Sequence, residues 1–189
     1  MILCMTGMPG SGKTTAARIL KAHGFTVIEM GAFVRRLMVK EHVPVNSVSL
    51  RRFSSELRAK HGPAAVAKLA GRVAQSAKGD VAIIGIRSPS EIRSLRGQLG
   101  QKVSILAIST PAEERYERLE GRARSDDAAM RSGLVKRDRI EAKWGIRNAI
   151  SMADMIISNE GSKKEFERNI VELVELVRRA GSHKRRRSV

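Results

Sequence analysis

The sequence predicts an α/β fold: one domain in which a five-stranded parallel sheet is sandwiched by helices. Three observations carry this reading. Five short apolar runs alternate with longer stretches of helical periodicity, which implies right-handed crossovers and a parallel sheet covered on both faces. Three of the helical stretches open on a hydroxyl side chain followed three residues later by Glu, the reciprocal cap of a helix start. With 189 residues, 42% of them hydrophobic, the chain is long enough to bury a continuous core without metals or disulfides.

The elements follow in order. Residues 2–6 form the first strand, ahead of a Gly-rich loop and a helix at about 13–23 that Gly24 stops. Residues 26–29 form the second strand, followed by helical pattern over about 32–41. A polar connection at 44–49 leads to a helix ending near His61. Gly62-Pro63 breaks the chain and starts the next helix, which reaches about Ala77, with proline where the first turn tolerates it. The third strand lies at 81–84. Ser88 with Glu91, Thr110 with Glu113 and Ser162 with Glu165 start the later helices, with strands at 103–108 and 155–158 between them.

Composition narrows the function classes. No apolar run approaches the roughly 20 residues of a membrane-spanning helix. The opening five residues lack the basic lead and the length of a secretory signal, and a single cysteine excludes a disulfide framework and a Cys-based zinc site. Together these predict a cytoplasmic protein. Lys and Arg number 36 against 19 acids, a net charge of +17, so the chain calls for anionic partners. Aromatics at 3% argue against stacking platforms for single strands. The charge is not spread evenly. Residues 31–72 carry nine basic side chains against Glu41 and Glu56, and residues 115–147 carry ten against six.

Gly7-Met8-Pro9-Gly10-Ser11-Gly12-Lys13-Thr14 matches the Gly-x-x-x-x-Gly-Lys-Ser/Thr pattern, between the first strand and the first helix where it has mechanical meaning. Its glycines let backbone N–H groups face one centre, and the helix N-terminus adds partial positive charge. Lys13 is expected to reach the β- and γ-phosphates of a nucleoside triphosphate, with catalytic effect. The Thr14 hydroxyl is expected to take one Mg²⁺ position, and Thr15 completes the nucleotide-binding set. This predicts the P-loop NTPase fold, with ATP and Mg²⁺ as cofactors.

The segments opposite the loop separate a kinase from other users of such loops. After the second strand come Gly31 and Arg35, and after the third come Gly85 and Arg87. In a doubly wound sheet both pairs reach the crevice outside the C-terminal strand ends, where two arginines would clamp an acceptor's anionic group. A third cluster, Arg118, Arg122, Arg124, Asp126, Asp127, Arg137 and Arg139, follows the fourth strand. Its loop-like part at 125–133 predicts an arginine-bearing lid, with Arg124 and Arg137 as the catalytic pair that neutralises charge on the transferring phosphoryl. The remaining candidates are ordinary: Cys4 and most methionines read as core, the four histidines share no ligand spacing, and Trp144 reads as packing beneath the lid helix before lining the pocket.

These residues resemble the adenylate kinase group of nucleotide kinases: the phosphate loop down to its proline, the acceptor turn from Gly31 to Arg35, and Arg124-Ser125-Asp126-Asp127 like that group's lid motif. Gly85-Ile86-Arg87-Ser88 with Glu91, Arg137-Asp138-Arg139 with Glu141, Trp144-Gly145-Ile146, and Ala153-Asp154 leading to Asn159-Glu160-Gly161 are similar to a family of small archaeal adenylate-kinase-related ATPases that also resembles dephospho-coenzyme A kinase. The resemblance covers about residues 1–177. It implies a nucleoside monophosphate kinase-like fold with acceptor-binding helices over about 31–78, a short helical lid over about 118–140, and Asn159 and Gly161 beside the adenine. Such relatives carry Asp where this chain has Ala32 and Ile84.

Two functions follow. The first is an ATP-dependent kinase transferring the γ-phosphoryl to a nucleotide-like acceptor. A nucleoside monophosphate is favoured over dephospho-coenzyme A, because a hydroxyl acceptor would want a carboxylate where Ile84 stands. The second is an ATP-binding or ATPase regulatory protein with weak kinase turnover that contacts nucleic acid through its basic surface. The basic end, residues 178–189, is read as a disordered tail that stays solvated, meets RNA or DNA phosphates, or meets anionic lipid.

Overall fold

The computed structural model describes residues 1–100, 103–121 and 131–186. The first half comprises β1 (Ile2–Thr6), α1 (Lys13–Ala22), β2 (Thr26–Glu29), α2 (Met30–Lys40), α3 (Ser47–His61), α4 (Ala65–Ser76) and β3 (Val81–Ile86). The second comprises α5 (Pro89–Leu99), β4 (Val103–Ser109), α6 (Ala112–Glu120), α7 (Arg131–Trp144), α8 (Ile146–Ser151), β5 (Met155–Ser158) and α9 (Lys163–Arg186). The strands form one parallel sheet in the order β2-β3-β1-β4-β5, the five-stranded α/β architecture that the alternation of runs predicts.

The side-chain period of two divides the core between the sheet's faces. Cys4 of β1, with its register partners Ile83 and Ile105, packs against α2, α3, α4, α5 and α8. Leu3 and Met5 point the other way, with Ala82, Ile84 and Leu106, and meet α1 and α9. Burial pushes the Cys4 thiol up to about 12, an inert core residue as its place in the strand predicts. Because β1 pairs with β3 on one side and β4 on the other, the loop after β1 leaves the sheet where the chain order reverses. A ligand crevice opens at such a point.

Local chemistry aims the site. β1 and β3 slip register between Met5 and Thr6, with Gly85 as the extra residue at φ +98°, a bulge that only glycine adopts cheaply. Thr6 Oγ1 fastens the strand beyond it by donating to the Ile86 carbonyl at 3.0 Å. The bulge ends β3 two residues later than the pattern predicts and delivers Arg87 to the crevice.

Other boundaries differ for identifiable reasons. α2 begins directly on β2, two residues before the expected start. Asn46 caps α3, its side-chain oxygen accepting from the N–H groups of Val48 and Ser49 at 3.0 Å each. Ser88 and Ser162 accept from the Glu91 and Glu165 N–H groups as the pattern predicts. Thr110 does not cap its helix: Pro111 stands at the start of α6, and the Thr110 hydroxyl faces the carbonyls of Ser109 and Ser11 instead. α8 arises where the sequence pattern marks nothing.

The last helix corrects the expected boundary at 177. It continues through Arg186, over residues read as a disordered tail. Lys and Arg are good helix formers, and the one glycine there, Gly181, costs too little to stop a helix already propagating. Arg178 belongs to the folded body, since its guanidinium reaches Asp80 at 2.9 Å and donates to the His23 carbonyl at 3.1 Å. Residues 187–189 lie outside the described residues.

Candidate active site

A cavity of about 600 Å³ opens at the C-terminal ends of β1, β2 and β3. Its near wall is the phosphate loop: Pro9, Gly10, Gly12, Lys13, Thr14 and Thr15 line it. Gly7, Met8 and Ser11 stand behind. Gly10, at φ +82°, has no room for a side chain, because a Cβ would sit 2.6 Å from the Arg115 carbonyl. Lys13 Nζ donates to the carbonyls of Gly7 at 2.6 Å and Met8 at 2.8 Å, folded onto its own loop. Burial lowers its ammonium to about 7; Arg87, Arg137 and Arg115 push the same way, and Glu141 opposes them.

The end of β5 braces the loop. Asn159 is buried, and its side-chain amide donates to the Ser11 carbonyl at 2.9 Å. Asn159 and Gly161 both line the cavity, beside Lys163 and Phe166 of α9. Arg118 lines it too, donating to the Asn159 carbonyl at 2.9 Å and pairing with Glu114 at 2.8 Å. Its Nη1 is buried with no hydrogen-bond partner among the described residues, a donor that a ligand oxygen would satisfy. This donor set, a cradle of loop N–H groups, an ammonium and a guanidinium, fits a polyphosphate. Thr14 contributes a hydroxyl, and Glu29 is a carboxylate on the opposite wall, which is the oxygen chemistry Mg²⁺ takes alongside phosphate and water. Among the described residues no cluster of three or more His, Cys, Asp or Glu could hold a metal unaided.

The far wall holds Gly31, Arg35, Gly85 and Arg87, so the structure brings the residues expected at the acceptor into the cavity that contains Lys13. Arg35 lies 3.6 Å from Glu29. α7 adds Arg137. Arg124, with Arg122, Asp126 and Asp127, lies outside the described residues. Ile84 lines the cavity as well, so no carboxylate enters from the end of β3.

Three functional-looking features escaped the sequence reading. Glu141 is 5% exposed and joins the far wall to α7: its Oε2 lies 3.4 Å from Arg87 Nε, and its Oε1 accepts from Arg137 Nε at 3.2 Å. Burial works to raise its pKa, but Arg87, Arg137 and Lys13 together hold it below the usual carboxylate value. The spacing of Arg137 and Glu141, four residues apart on one helix face, was a legible signal for half of this bridge. Arg51 lines a smaller recess behind the acceptor wall, of about 50 Å³, with Arg87, Arg137, Glu141 and Trp144. Nothing in the sequence marks it. Trp144 both packs, 4.3 Å from the Arg58 guanidinium, and lines this recess. Finally, Arg115 is buried and joins α6 to α7 through Asp138, while also donating to the Pro9 carbonyl at 2.9 Å.

Comparison with known proteins agrees with this fold. A family model described as an AAA domain matches residues 6–132. A UPF0200 protein of Saccharolobus islandicus is 38% identical over 181 residues, 95% of each chain. A UPF0200 protein of Pyrococcus horikoshii is 38% identical over 180 residues, 92% of this chain and 96% of its own. The chain belongs to the UPF0200 family. Among solved structures, a shikimate kinase from Acinetobacter baumannii in complex with shikimate is similar with a TM-score of 0.61, at 18% identity and 92% coverage of both chains. The fold of this UPF0200 member is therefore that of the P-loop kinases, an adenylate-kinase-related architecture. Among the described residues no helix is long and apolar enough to cross a membrane.

Proposed function

We propose that this chain is an ATP-dependent kinase that transfers the γ-phosphoryl of ATP to a nucleotide-like acceptor carrying its own phosphate, a nucleoside monophosphate before dephospho-coenzyme A. One observation carries this reading: the phosphate loop and the acceptor arginines open into a single cavity from opposite walls. In this reading the loop N–H groups, Lys13 and Arg118 grip the triphosphate, and Asn159 with Gly161 borders its base. Arg35 and Arg87 hold the acceptor's anionic group, and Arg137, with Arg124 from the segment after α6, neutralises the transferring phosphoryl. α2, α3 and α4 serve as the acceptor-binding helices and α7 as the lid helix. Mg²⁺, when bound with ATP at Thr14, supplies charge neutralisation at the phosphate oxygens. Positioning and charge neutralisation dominate such a transfer, so the lack of a base at Ile84 suits a phosphate acceptor better than a hydroxyl.

The test is an acceptor screen with ATP and Mg²⁺. It includes nucleoside monophosphates, dephospho-coenzyme A, shikimate as the acceptor named with the structural neighbour, and a no-acceptor control. Acceptor-dependent ADP release with a monophosphate supports the reading; hydrolysis unaffected by any acceptor overturns it.

The second reading, a nucleotide-binding regulatory protein that engages nucleic acid, draws on the basic helical end of α9 and on Ala32 and Ile84 in place of acids. It predicts salt-dependent RNA or DNA binding that ATP modulates and that weakens when residues 179–189 are removed. In both readings the protein works in the cytoplasm.

A further inference from the structure

The nine basic side chains of residues 31–72 do not share one destination. Arg35 and Arg51 line the cavity or the recess behind it. Arg58 is buried and pairs with Glu91 at 3.1 Å. The other six are exposed, and none of them lines either space: Arg36 and Lys40 of α2, Arg52 and Lys60 of α3, Lys68 and Arg72 of α4. α2 packs on α3 and α4, and α3 on α4, with their inner sides in the core beside Cys4. The six cations therefore stand on the outside of one three-helix block.

Helix stability does not account for them. Glu56, 3.6 Å from Arg52, is the one acid in the three helices. Among the described residues Lys40, Lys60, Lys68 and Arg72 form no ion pair. Arg36 with Lys40, and Lys68 with Arg72, are like charges four residues apart, about 6 Å along the axis, a spacing that destabilises a helix. None of the three helices places an acid in its first turn, where the helix dipole favours one, and α4 sets Lys68 close to that end instead. The opposite face of the sheet differs. There Glu167, Glu172 and Glu175 of α9 each take an arginine, from Arg18, Arg168 and Arg179.

We propose that the outside of the α2–α3–α4 block is a docking face for nucleic acid, held through the phosphate backbone of a duplex. Closely repeated negative charge complements several like-charged side chains on a rigid surface. Stacking has no part here: of the two aromatics on these helices Phe53 is buried, and Phe33 is half-buried with the Arg36 guanidinium 4.7 Å over its ring. That leaves contact with phosphates, which a duplex presents and which carries no sequence preference. The face is separate from the basic end of α9 and rests on the second reading for the class of partner alone.

The full-length protein, without nucleotide, is titrated with a labelled mixed-sequence DNA duplex of about two helical turns, at about 50 to 200 mM salt. The block variant combines Lys40→Gln, Lys60→Gln, Lys68→Gln and Arg72→Gln. A control variant removes the same charge from the opposite layer through Arg18→Gln, Lys21→Gln, Lys164→Gln and Arg168→Gln, and a third protein ends at Arg178. Wild type should bind, more weakly as salt rises. The block variant should lower the slope of log affinity against log salt by about two to four, and lose about tenfold or more in affinity at about 100 mM salt. The control variant should keep the wild-type slope to within about one, and ATP affinity should be the same in all four proteins.

A block variant that binds as the control does overturns the face, and so does absence of duplex binding by wild type. Polyglutamate displacing the duplex at equal charge concentration also overturns it, in favour of an acidic protein. Loss on truncation without loss in the block variant overturns the face and leaves the second reading standing. Loss in the block variant alone, unmoved by truncation or ATP, supports the face and overturns the second reading. Should the block variant not fold, Lys40→Gln with Lys60→Gln and Lys68→Gln with Arg72→Gln are measured as pairs, each expected to give about half the slope change.

Discussion

The buried Arg115 pairs with Asp138 through both terminal nitrogens of the arginine, at 2.6 and 3.2 Å, and the same guanidinium donates to the Pro9 carbonyl of the phosphate loop. Tyr116 adds its hydroxyl to the same Asp138 oxygen at 3.0 Å. One side chain of α6 therefore connects the loop that cradles phosphate to the helix that carries Arg137 and Glu141.

Breaking this pair should cost more than a surface pair does, because it leaves a buried charge without its partner. Asp138→Ala should destabilise the protein by about 3 kcal/mol in urea unfolding. It should also weaken nucleotide binding, since the support of Pro9 goes with it. Arg115→Met strands Asp138 instead and should act in the same direction. Nucleotide affinity unchanged in both variants would show that the link holds the fold alone.

The lowered Lys13 pKa makes a pH prediction whose sign is fixed. Burial holds Lys13 at about 7, and a bound triphosphate would favour its charged form and raise that value. Binding therefore takes up a proton above the lower pKa, and affinity for ATP should fall as pH rises through and beyond 7, by up to about tenfold per pH unit. Calorimetry at about pH 8 in buffers of different ionisation enthalpy measures the uptake directly. Lys13→Met should abolish both the uptake and most of the affinity. Binding heat independent of the buffer would contradict the assignment.

Much of this site is legible in the chain before any coordinate. The Gly-Lys-Thr run, its place between a strand and a helix, and Arg35 and Arg87 just beyond strand ends follow from local chemistry and the geometry of parallel sheets. Arg51, and the Arg87 half of the Glu141 bridge, are not legible in that way. Their meaning comes from packing α3 and α7 onto one recess, a contact between segments far apart in sequence that no local period encodes. Thr110 shows the opposite failure. Its pattern is a sound local signal, but Pro111 takes the cap position and the carbonyls of Ser109 and, across the fold, Ser11 claim the hydroxyl.

The Asp80 cluster tests where the folded body ends. Asp80 accepts from the chain's amino terminus at 2.8 Å and from Arg178 at 2.9 Å. Burial works to raise its pKa, but those two hydrogen-bonded cations outweigh it and hold the carboxyl below its ordinary value. A depressed carboxylate contributes stability that is present above the unfolded pKa, about 3.9, and is lost as pH falls through the folded one. Truncation to residues 1–177 should therefore lower the melting temperature relative to truncation to 1–178, an effect of about 1 kcal/mol that fades in acid below about pH 4. Equal melting temperatures for the two truncations at neutral pH would place Arg178 outside the folded body.

Ile84 presents the sharpest choice for chemistry. It is 6% exposed, packs with the core face that holds Met5 and Leu106, and still lines the cavity. Ile84→Asp would place a carboxylate late in β3, in the cavity that Thr14 also lines, where it could orient Mg²⁺ waters or accept a proton from a hydroxyl acceptor. It also buries a charge beside apolar neighbours, so it should lose about 2 kcal/mol or more of stability. If the missing acid limits the reaction, Ile84→Asp raises Mg²⁺-dependent turnover over wild type despite that loss, and the gain is larger with dephospho-coenzyme A than with a nucleoside monophosphate. If turnover does not rise while ATP still binds, this chain runs its chemistry on the arginines and the phosphate loop, without an acid from β3.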